Sequence, residues 1–511
     1  MQGHFTDGCD FLRMRQHLHE DHEVKKDDTT HARGGIIRPR IQVLDGAQTD
    51  GIHQDVLRIL DQIGIRVTSD KARRLFQRAG AVCRDGDIVH LPPALVEDSL
   101  KSAPPSVDIH DRRGALKMHL PSTARFGPGV TCLYFQDPKT NALIPFGRRE
   151  IAASVRLGRA LDQFDFMSTP GVLQDACLAD KADVYTALEM IANTDKPLVL
   201  LVSRAEALAP VLDLLTELHG DLAEKPFALP LLTPITPLVI DAETCSRMFT
   251  AIAYGLPVVY VNYGMAGVNA PITPYGTLAQ LMAEIVAGIS LSQVIKRGTP
   301  IIAGCLGAYM DMRTTVNFYD PVSYLLNLAC AEMMAFYRIP HYGNSGNAVG
   351  WGADLISAGH QWFNHITACL GTSGMAAFVG TVLTSKVFSP GVVVYADEVI
   401  AQARRFAAGF NVDESALLLH ELSLTGPGGN FLSSDMTLRR FREAYFQSAV
   451  FPRISMEDWL AQGQPAAEER LRQYTAQVLQ TAKPPEDHDD LMERGEAFLN
   501  RQQSSVAAAA K

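Results

Sequence analysis

Between residue 148 and about residue 408 one pattern repeats: a short apolar run, then a longer stretch with apolar residues every three or four positions. The apolar runs predict strands at 166–173, 197–202, 227–232, 257–263, 300–305, 340–343 and 375–383, with an eighth near 391–395. The spacing between them predicts helices at about 149–162, 180–193, 205–219, 242–254, 276–297, 320–338, 353–370 and 395–408. Strands that alternate with helices through short connections pair in parallel. About eight such units suit a TIM (β/α)8 barrel better than an open doubly wound sheet, since no strand here leads into the G-x-G-x-x-G turn of a dinucleotide site.

The flanks read differently. Residues 1–38 are polar and aperiodic and predict a mobile tail, in which His17, His19 and His22 lack the supporting shell of an ordered metal site. Residues 39–148 predict an α+β cap. It holds helical spacing over 50–79 broken at Gly64, a second helix capped by Ser69 or Asp70, a strand near 87–91, and a helix beginning near Pro92 and Pro93. Segments 125–135 and 142–145 flank the turn DPKTN and predict a hairpin. The barrel is expected over 149–410, a helical extension over 411–500 with the turn GPGGN at 426–430, and a frayed end over 501–511. The expected class is α/β: a TIM barrel with an N-terminal α+β cap and a C-terminal helical extension.

Composition narrows the function. Charged residues are 20% of the 511, hydrophobic ones 47%, and the formal charge is −10, which fits a globular protein and disfavours nucleic acid. Eight cysteines are scattered singly with no C-x-x-C pair, so reduced and mostly buried thiols are expected and no tightly bound metal. The first residues lack the apolar core of a signal peptide. No stretch reaches the uninterrupted apolar length of a membrane span, since even 285–310 is broken by Lys296 and Arg297. The expected compartment is the cytoplasm, with no membrane contact.

In a barrel, working residues lie on loops after the carboxyl ends of the strands. Three such loops are long or glycine-rich: NYGMAGVNAPITPYG, LGAYMDMRTTVNFYD and NSGNAVGWGAD. On them Tyr263, Tyr309, Phe318, Tyr319 and Trp351 make a candidate cage whose ring faces attract a quaternary ammonium, although each ring taken singly is equally a packing residue. Arg313, the sole basic residue of its loop, either grips a substrate carboxylate or pairs with Asp311 or Asp320. His341 and His360 are either an acid/base and a ligand or satisfied structural histidines. Gly343, Gly346, Gly350 and Gly352 either cradle a phosphate, though without Gly-Lys-Ser/Thr, or leave backbone room for a bulky planar neighbour. No strand carries a Lys placed for a Schiff base, no H-x-H stands early in the barrel with later His and Asp, and G-x-S-x-G is missing. A cage and a fork are more visible than an acid and a base.

The stretches LPPALVEDSLKSAPPSVDIHDRRG, DPKTNALIPFGRREIAASVRLGRALDQFDF, YGMAGVNAPITPYGTLAQLMAEIVAGISLSQVIKRGTPIIAG and GPGGNFLSSDMTLRRFREAYFQSAVFPRISMEDWLAQG, in this order, resemble the trimethylamine methyltransferase superfamily. The resemblance covers roughly 40–480 and implies a TIM barrel that moves a methyl group from a methylamine to the cobalt of a separate corrinoid protein. All letters are standard, so the chain resembles the branch without pyrrolysine, whose substrates are quaternary amines such as glycine betaine. It departs where many members carry Asp and, six residues on, Glu: here stand Asp354 and His360. The resemblance implies that Tyr263, Phe318, Tyr319 and Trp351 hold the ammonium and Arg313 the carboxylate. It further implies that Asn262 and Asn344 orient the substrate and that the 343–352 loop leaves space for the corrin. Two other classes stay open: a barrel lyase or hydrolase for an amine, and a non-catalytic betaine-binding barrel. A homo-oligomer is also open.

Overall fold

The computed structural model describes residues 35–175, 178, 181–347, 349–412 and 415–509, so 1–34 of the tail expected over 1–38 lie outside the described residues, and Ile36–Ile37 near its end form a strand. Two compact units divide them. In the smaller, formed by 35–37 and 409–439, Ile36–Ile37 pairs antiparallel with Phe410–Asn411 and is followed by the helix Ser415–Thr425. The larger comprises 38–408 and 440–509.

The larger unit holds eight strands that each precede a helix. The strands are β1 Arg125–Pro128, β2 Met167–Ser168, β3 Leu198–Leu200, β4 Ala228–Leu232, β5 Val258–Ala266, β6 Ile301–Asp311, β7 Tyr342–Asn344 and β8 Met375–Val379. The helices are α1 Arg148–Ala160, α2 Ala182–Asn193, α3 Ala205–His219, α4 Ala242–Ala253, α5 Pro274–Ile295, α6 Pro321–Phe336, α7 Leu355–Leu370 and α8 Pro390–Ala408. Strands β2 to β6 pair in sequence order and β7 pairs β8, which pairs β1, all in parallel. Parallel bridges Ala303–His341 and Phe126–Phe164 link β6 to the residue before β7, and β1 to the segment before β2. The pairings thus return to where they began.

Local chemistry places the helix starts. Asp320 caps α6 by accepting from the Val322 amide at 2.9 Å, Asp354 caps α7 from the Ser357 amide at 2.8 Å, and Pro274, Pro321 and Pro390 sit in first turns that lose no hydrogen bond to proline. The strands are buried on both faces, which is why they read as unbroken apolar runs.

Inside the ring Phe166, Val199, Leu229, Val259, Val261, Ile302, Tyr342 and Met375 pack with Val107, Ile109, Met118 and Leu120 of the hairpin Val107–His110/Leu116–Leu120. That hairpin is tied to the segments leading into β4 and β3: the His110 amide donates to the Pro226 carbonyl and the Arg112 amide to the Asp195 carbonyl, each at 2.9 Å. It therefore covers the amino ends of the strands.

Three expectations change. The eighth strand is not 391–395, which lies within α8; it is β1, from the segment assigned to the cap. Helix α5 is long and apolar enough to cross a membrane, against the expectation that no segment is, but 83% of its apolar window is buried inside the protein, where it serves as a core helix. The end of the chain is helical from His488 to Ala509, with 510 and 511 outside the described residues.

Candidate active site

The long stretches after β5 and β6 are largely strand. The two strands run side by side as far as Ala266 and Tyr309, and β6 then turns back on itself, so that Tyr309 pairs Phe318 and Asp311 pairs Val316 in an antiparallel hairpin. Extending the strands beyond the ring carries their aromatic residues to its carboxyl end. The Tyr309 and Phe318 rings lie 6.3 Å apart, and Tyr263, Met265, Ala308, Tyr319 and Tyr324 pack into one further cluster.

Neutral polar groups join these rings. Asn317 Nδ2 donates to the Tyr263 hydroxyl at 2.6 Å, and the Tyr319 hydroxyl is hydrogen-bonded to both Tyr263 and Asn347. Asn347 Oδ1 accepts from Thr381 and, at 2.7 Å, from Ser385, while its carbonyl accepts from Asn364 Nδ2 at 3.1 Å. The Tyr324 hydroxyl lies 3.4 Å from His360 Nδ1. Burial raises the Tyr263 and Tyr319 phenols above their usual range and lowers the His360 imidazole below its own. All therefore stay uncharged at neutral pH. Ring faces backed by oriented dipoles suit a weakly hydrated cation such as a tetraalkylammonium.

The β7 loop is held from behind by α7. Ser345 Oγ lies 2.8 Å from His365 Nδ1, His365 Nε2 lies 2.7 Å from Gln361 Oε1, and Gln361 Nε2 donates to the Gly346 carbonyl at 3.2 Å. Burial, helped by Arg404, lowers His365 to about 3.

Tyr263 and Tyr319 thus lie in one region with Tyr324, whose hydroxyl reaches His360, while Tyr309 and Phe318 pair with each other on the opposite face of the strands, the face that Asn262 shares. Four other expected site residues lie elsewhere or are engaged. Asn262 points outward, donating to the Leu281 carbonyl and to Glu284 on α5, each at 2.9 Å. Asn344 serves its own loop, where Oδ1 accepts from the amides of Gly346 and Asn347 at 3.1 and 3.4 Å. Arg313 is exposed at the turn of the β6 hairpin, and its amide donates to Asp311 Oδ1 at 2.8 Å. Trp351 is 70% exposed and lines a different cavity, of about 450 Å³, with Gln136, Asp354, Glu468 and Arg472.

The four glycines do not leave an open face. A Cβ would fall 2.4 Å from Asn327 Oδ1 at Gly343, 2.1 Å from Val379 Cα at Gly346, 2.1 Å from Ser357 Oγ at Gly350 and 2.9 Å from Gln136 Nε2 at Gly352. Close packing within the protein leaves no room for a side chain at any of the four. His341 is buried behind the strands, its Nδ1 accepting from the Gly374 amide at 3.4 Å. Among the described residues no group of three or more His, Cys, Asp or Glu is arranged to hold a metal.

Sequence reasoning missed Asn317, Tyr324, Asn347, Thr381 and Ser385. Asn317 and Asn347 lie inside two of the three loops singled out, but an asparagine there reads first as a turn residue. Thr381 and Ser385 follow β8, whose loop carries a single aromatic, the fully buried Phe388.

The fold is α/β with a cluster of aromatic and neutral polar residues at the carboxyl ends of its strands, and comparison supplies the class. The chain belongs to the trimethylamine methyltransferase (MTTB) family, whose sequence profile matches residues 13–507. It is similar to the trimethylamine methyltransferase MttB of Desulfitobacterium hafniense (strain DSM 10664 / DCB-2), 26% identical over 442 residues, 85% of this chain and 88% of that one. The glycine betaine methyltransferase of Desulfitobacterium hafniense (strain Y51) is 25% identical over 490 residues, 92% of this chain and 99% of that one. Among solved structures, the Methanosarcina barkeri monomethylamine methyltransferase (MtmB) aligns with a TM-score of 0.47 at 12% identity, over 86% of this chain and 92% of that one.

Proposed function

We propose that the chain removes a methyl group from a quaternary amine and passes it to a corrinoid protein, on a (β/α)8 barrel formed by the ring of eight strands. The observation that carries this reading is the uncharged cluster of Tyr263, Tyr319 and Tyr324, joined by Asn317 and Asn347, at the carboxyl ends of β5 to β7. Likeness to a glycine betaine methyltransferase over nearly its whole length supports the same class of substrate.

The chemistry asks little of acids and bases. A quaternary nitrogen leaves as a neutral amine, so no proton has to be supplied to it. The partner's corrinoid supplies the cobalt nucleophile. This chain's part is to bind the cation by the ring faces, to turn one methyl toward the open side, and to keep water out. The Tyr263 and Tyr319 hydroxyls, fixed by Asn317 and Asn347, hold the rings in place.

The test is to incubate the purified chain with reduced cobalamin, or with a cognate corrinoid protein, and a panel of betaines, carnitine, choline, tetramethylammonium and trimethylamine. Loss of the reduced-cobalt absorbance together with the demethylated amine by NMR is expected for a quaternary amine. Amine binding with the reduced cobalt intact under both conditions would overturn the reading.

A further inference from the structure

Helix α7 is inside out. Its buried face carries Ser357, Gln361, Asn364 and His365, which hold the β7 loop, while Leu355, Ile356, Trp362 and Phe363 face outward at 84%, 43%, 39% and 44% exposure. A helix in a lone soluble chain does the reverse and turns its apolar stripe to the core. At the centre of the outer stripe is Gly359, where a Cβ would meet nothing within 4 Å. Among the described residues no contact requires glycine there, although glycine weakens a helix.

We infer that this face is where two copies of the chain meet, α7 against α7, antiparallel and centred on Gly359. The pattern is symmetric about that residue: Ile356 and Trp362 lie three positions to either side, Leu355 and Phe363 four. An antiparallel pair therefore sets Leu355 against Phe363 of the second copy and Ile356 against its Trp362. Such self-complementarity is what a two-fold contact needs. With no side chain on Gly359 the two backbones approach closely.

Charge favours a second copy as the occupant. Each chain carries a formal −10, so copies repel over most of their surface, yet α7 holds no Asp, Glu, Lys or Arg from Leu355 to Leu370. On the neighbouring α6 the only acid, Glu332, is taken up by the amides of Val43 and Leu44 at 2.8 Å. With Leu325 of α6, 51% exposed, the stripe leaves open roughly 500 Å² per copy, or about 1,000 Å² for a pair, which is the lower bound of a specific interface. The pair is accordingly a weak one.

Sedimentation of the whole chain from about 1 to about 100 µM tests this, because a small interface dissociates in the micromolar range. The expected result is a rise from one chain to two, abolished by Trp362→Glu and by Gly359→Lys, each with unaltered circular dichroism. Gly359→Lys fills open space and replaces a poor helix former, so it carries the test should Trp362→Glu unfold. A wild-type chain that stays single throughout, or pairing untouched by a folded variant, overturns the inference.

Discussion

The two ends of the strand ring are built from opposite chemistry. At the amino end Val107, Ile109, Met118 and Leu120 of the hairpin close the interior with apolar side chains. At the carboxyl end Tyr263, Asn317, Tyr319, Asn347 and Ser385 meet through hydroxyls and amides. One end is sealed by burial of area, which holds the ring together. The other presents dipoles and ring faces whose hydrogen-bonding partners fix their positions, which is what recognition requires. Damage at the amino end should therefore appear as lost stability, and damage at the carboxyl end as lost binding, except where a polar group also carries the scaffold.

Glu284 is that exception and gives the largest effect. Buried on α5, it accepts from Thr236 Oγ1 at 2.8 Å, the Leu238 amide at 3.0 Å, Asn262 Nδ2 at 2.9 Å and Gln280 Nε2 at 3.0 Å, tying the segment after β4 to β5. Glu284→Ala leaves four donors without an acceptor, at about 1 kcal/mol or more each, so denaturant unfolding should show a loss of about 4 kcal/mol. Glu284→Gln keeps acceptor oxygen and should lose less. At the amino end Ile109→Ala should lower stability by about 3 kcal/mol through the cavity it opens, with KM unchanged. A changed KM would mean that the two ends are coupled.

The support behind the β7 loop responds to pH. His365 has its pKa lowered from 6.5 to about 3 in the folded chain, so the neutral form carries the stability. That contribution is complete above about pH 6.5 and is lost as pH falls toward about 3, at up to about 1.4 kcal/mol per pH unit. Unfolding titrations at stepped pH should show this slope in the wild type and a flatter one in His365→Gln. An unchanged slope in the variant would place the sensitivity elsewhere.

Removing one hydroxyl from the site should cost less. Tyr263→Phe and Tyr319→Phe keep the ring faces but leave Asn317 and Asn347 each short of a partner. About 1 to 1.5 kcal/mol in kcat/KM, near tenfold, is expected for the quaternary amine, with stability little changed. A stability loss without a kinetic one would assign these hydroxyls to the scaffold.

Most of the alternation was legible because α1 to α8 are amphipathic or uniformly apolar over many turns, and such patterns survive any tertiary setting. Strand β1 was not, since a hairpin separates Pro128 from α1 at Arg148 and hides the strand–helix unit, while the apolar run at 391–395 is simply the buried side of α8. Within the cluster Tyr263 and Tyr319 were legible from their place after strands, whereas Tyr309 and Phe318 fall on the other face of the same strands. Asn262 was misread because β5 runs on to Ala266, so that strand parity turns residue 262 toward α5 and residue 263 toward the interior. The polar side chains that hold the β7 loop, Gln361, Asn364 and His365, come from α7, whose buried face no apolar pattern reveals.

Arg313 sharpens the comparison at its smallest effect. The sequence offers it as the grip for a substrate carboxylate, and the structure sets it at the exposed turn of the β6 hairpin, four residues past Tyr309. At strand rise those four residues span roughly 13 Å, twice the separation of the paired Tyr309 and Phe318 rings. A charge that far out in water is screened. Arg313→Ala should therefore change the affinities for glycine betaine and for tetramethylammonium alike, by less than about 0.5 kcal/mol, when both are measured by calorimetry. A selective loss of betaine would show that the hairpin folds over the bound substrate and brings its guanidinium to the carboxylate, and the carboxyl end would then be closed by a charged strap as well as lined by neutral rings.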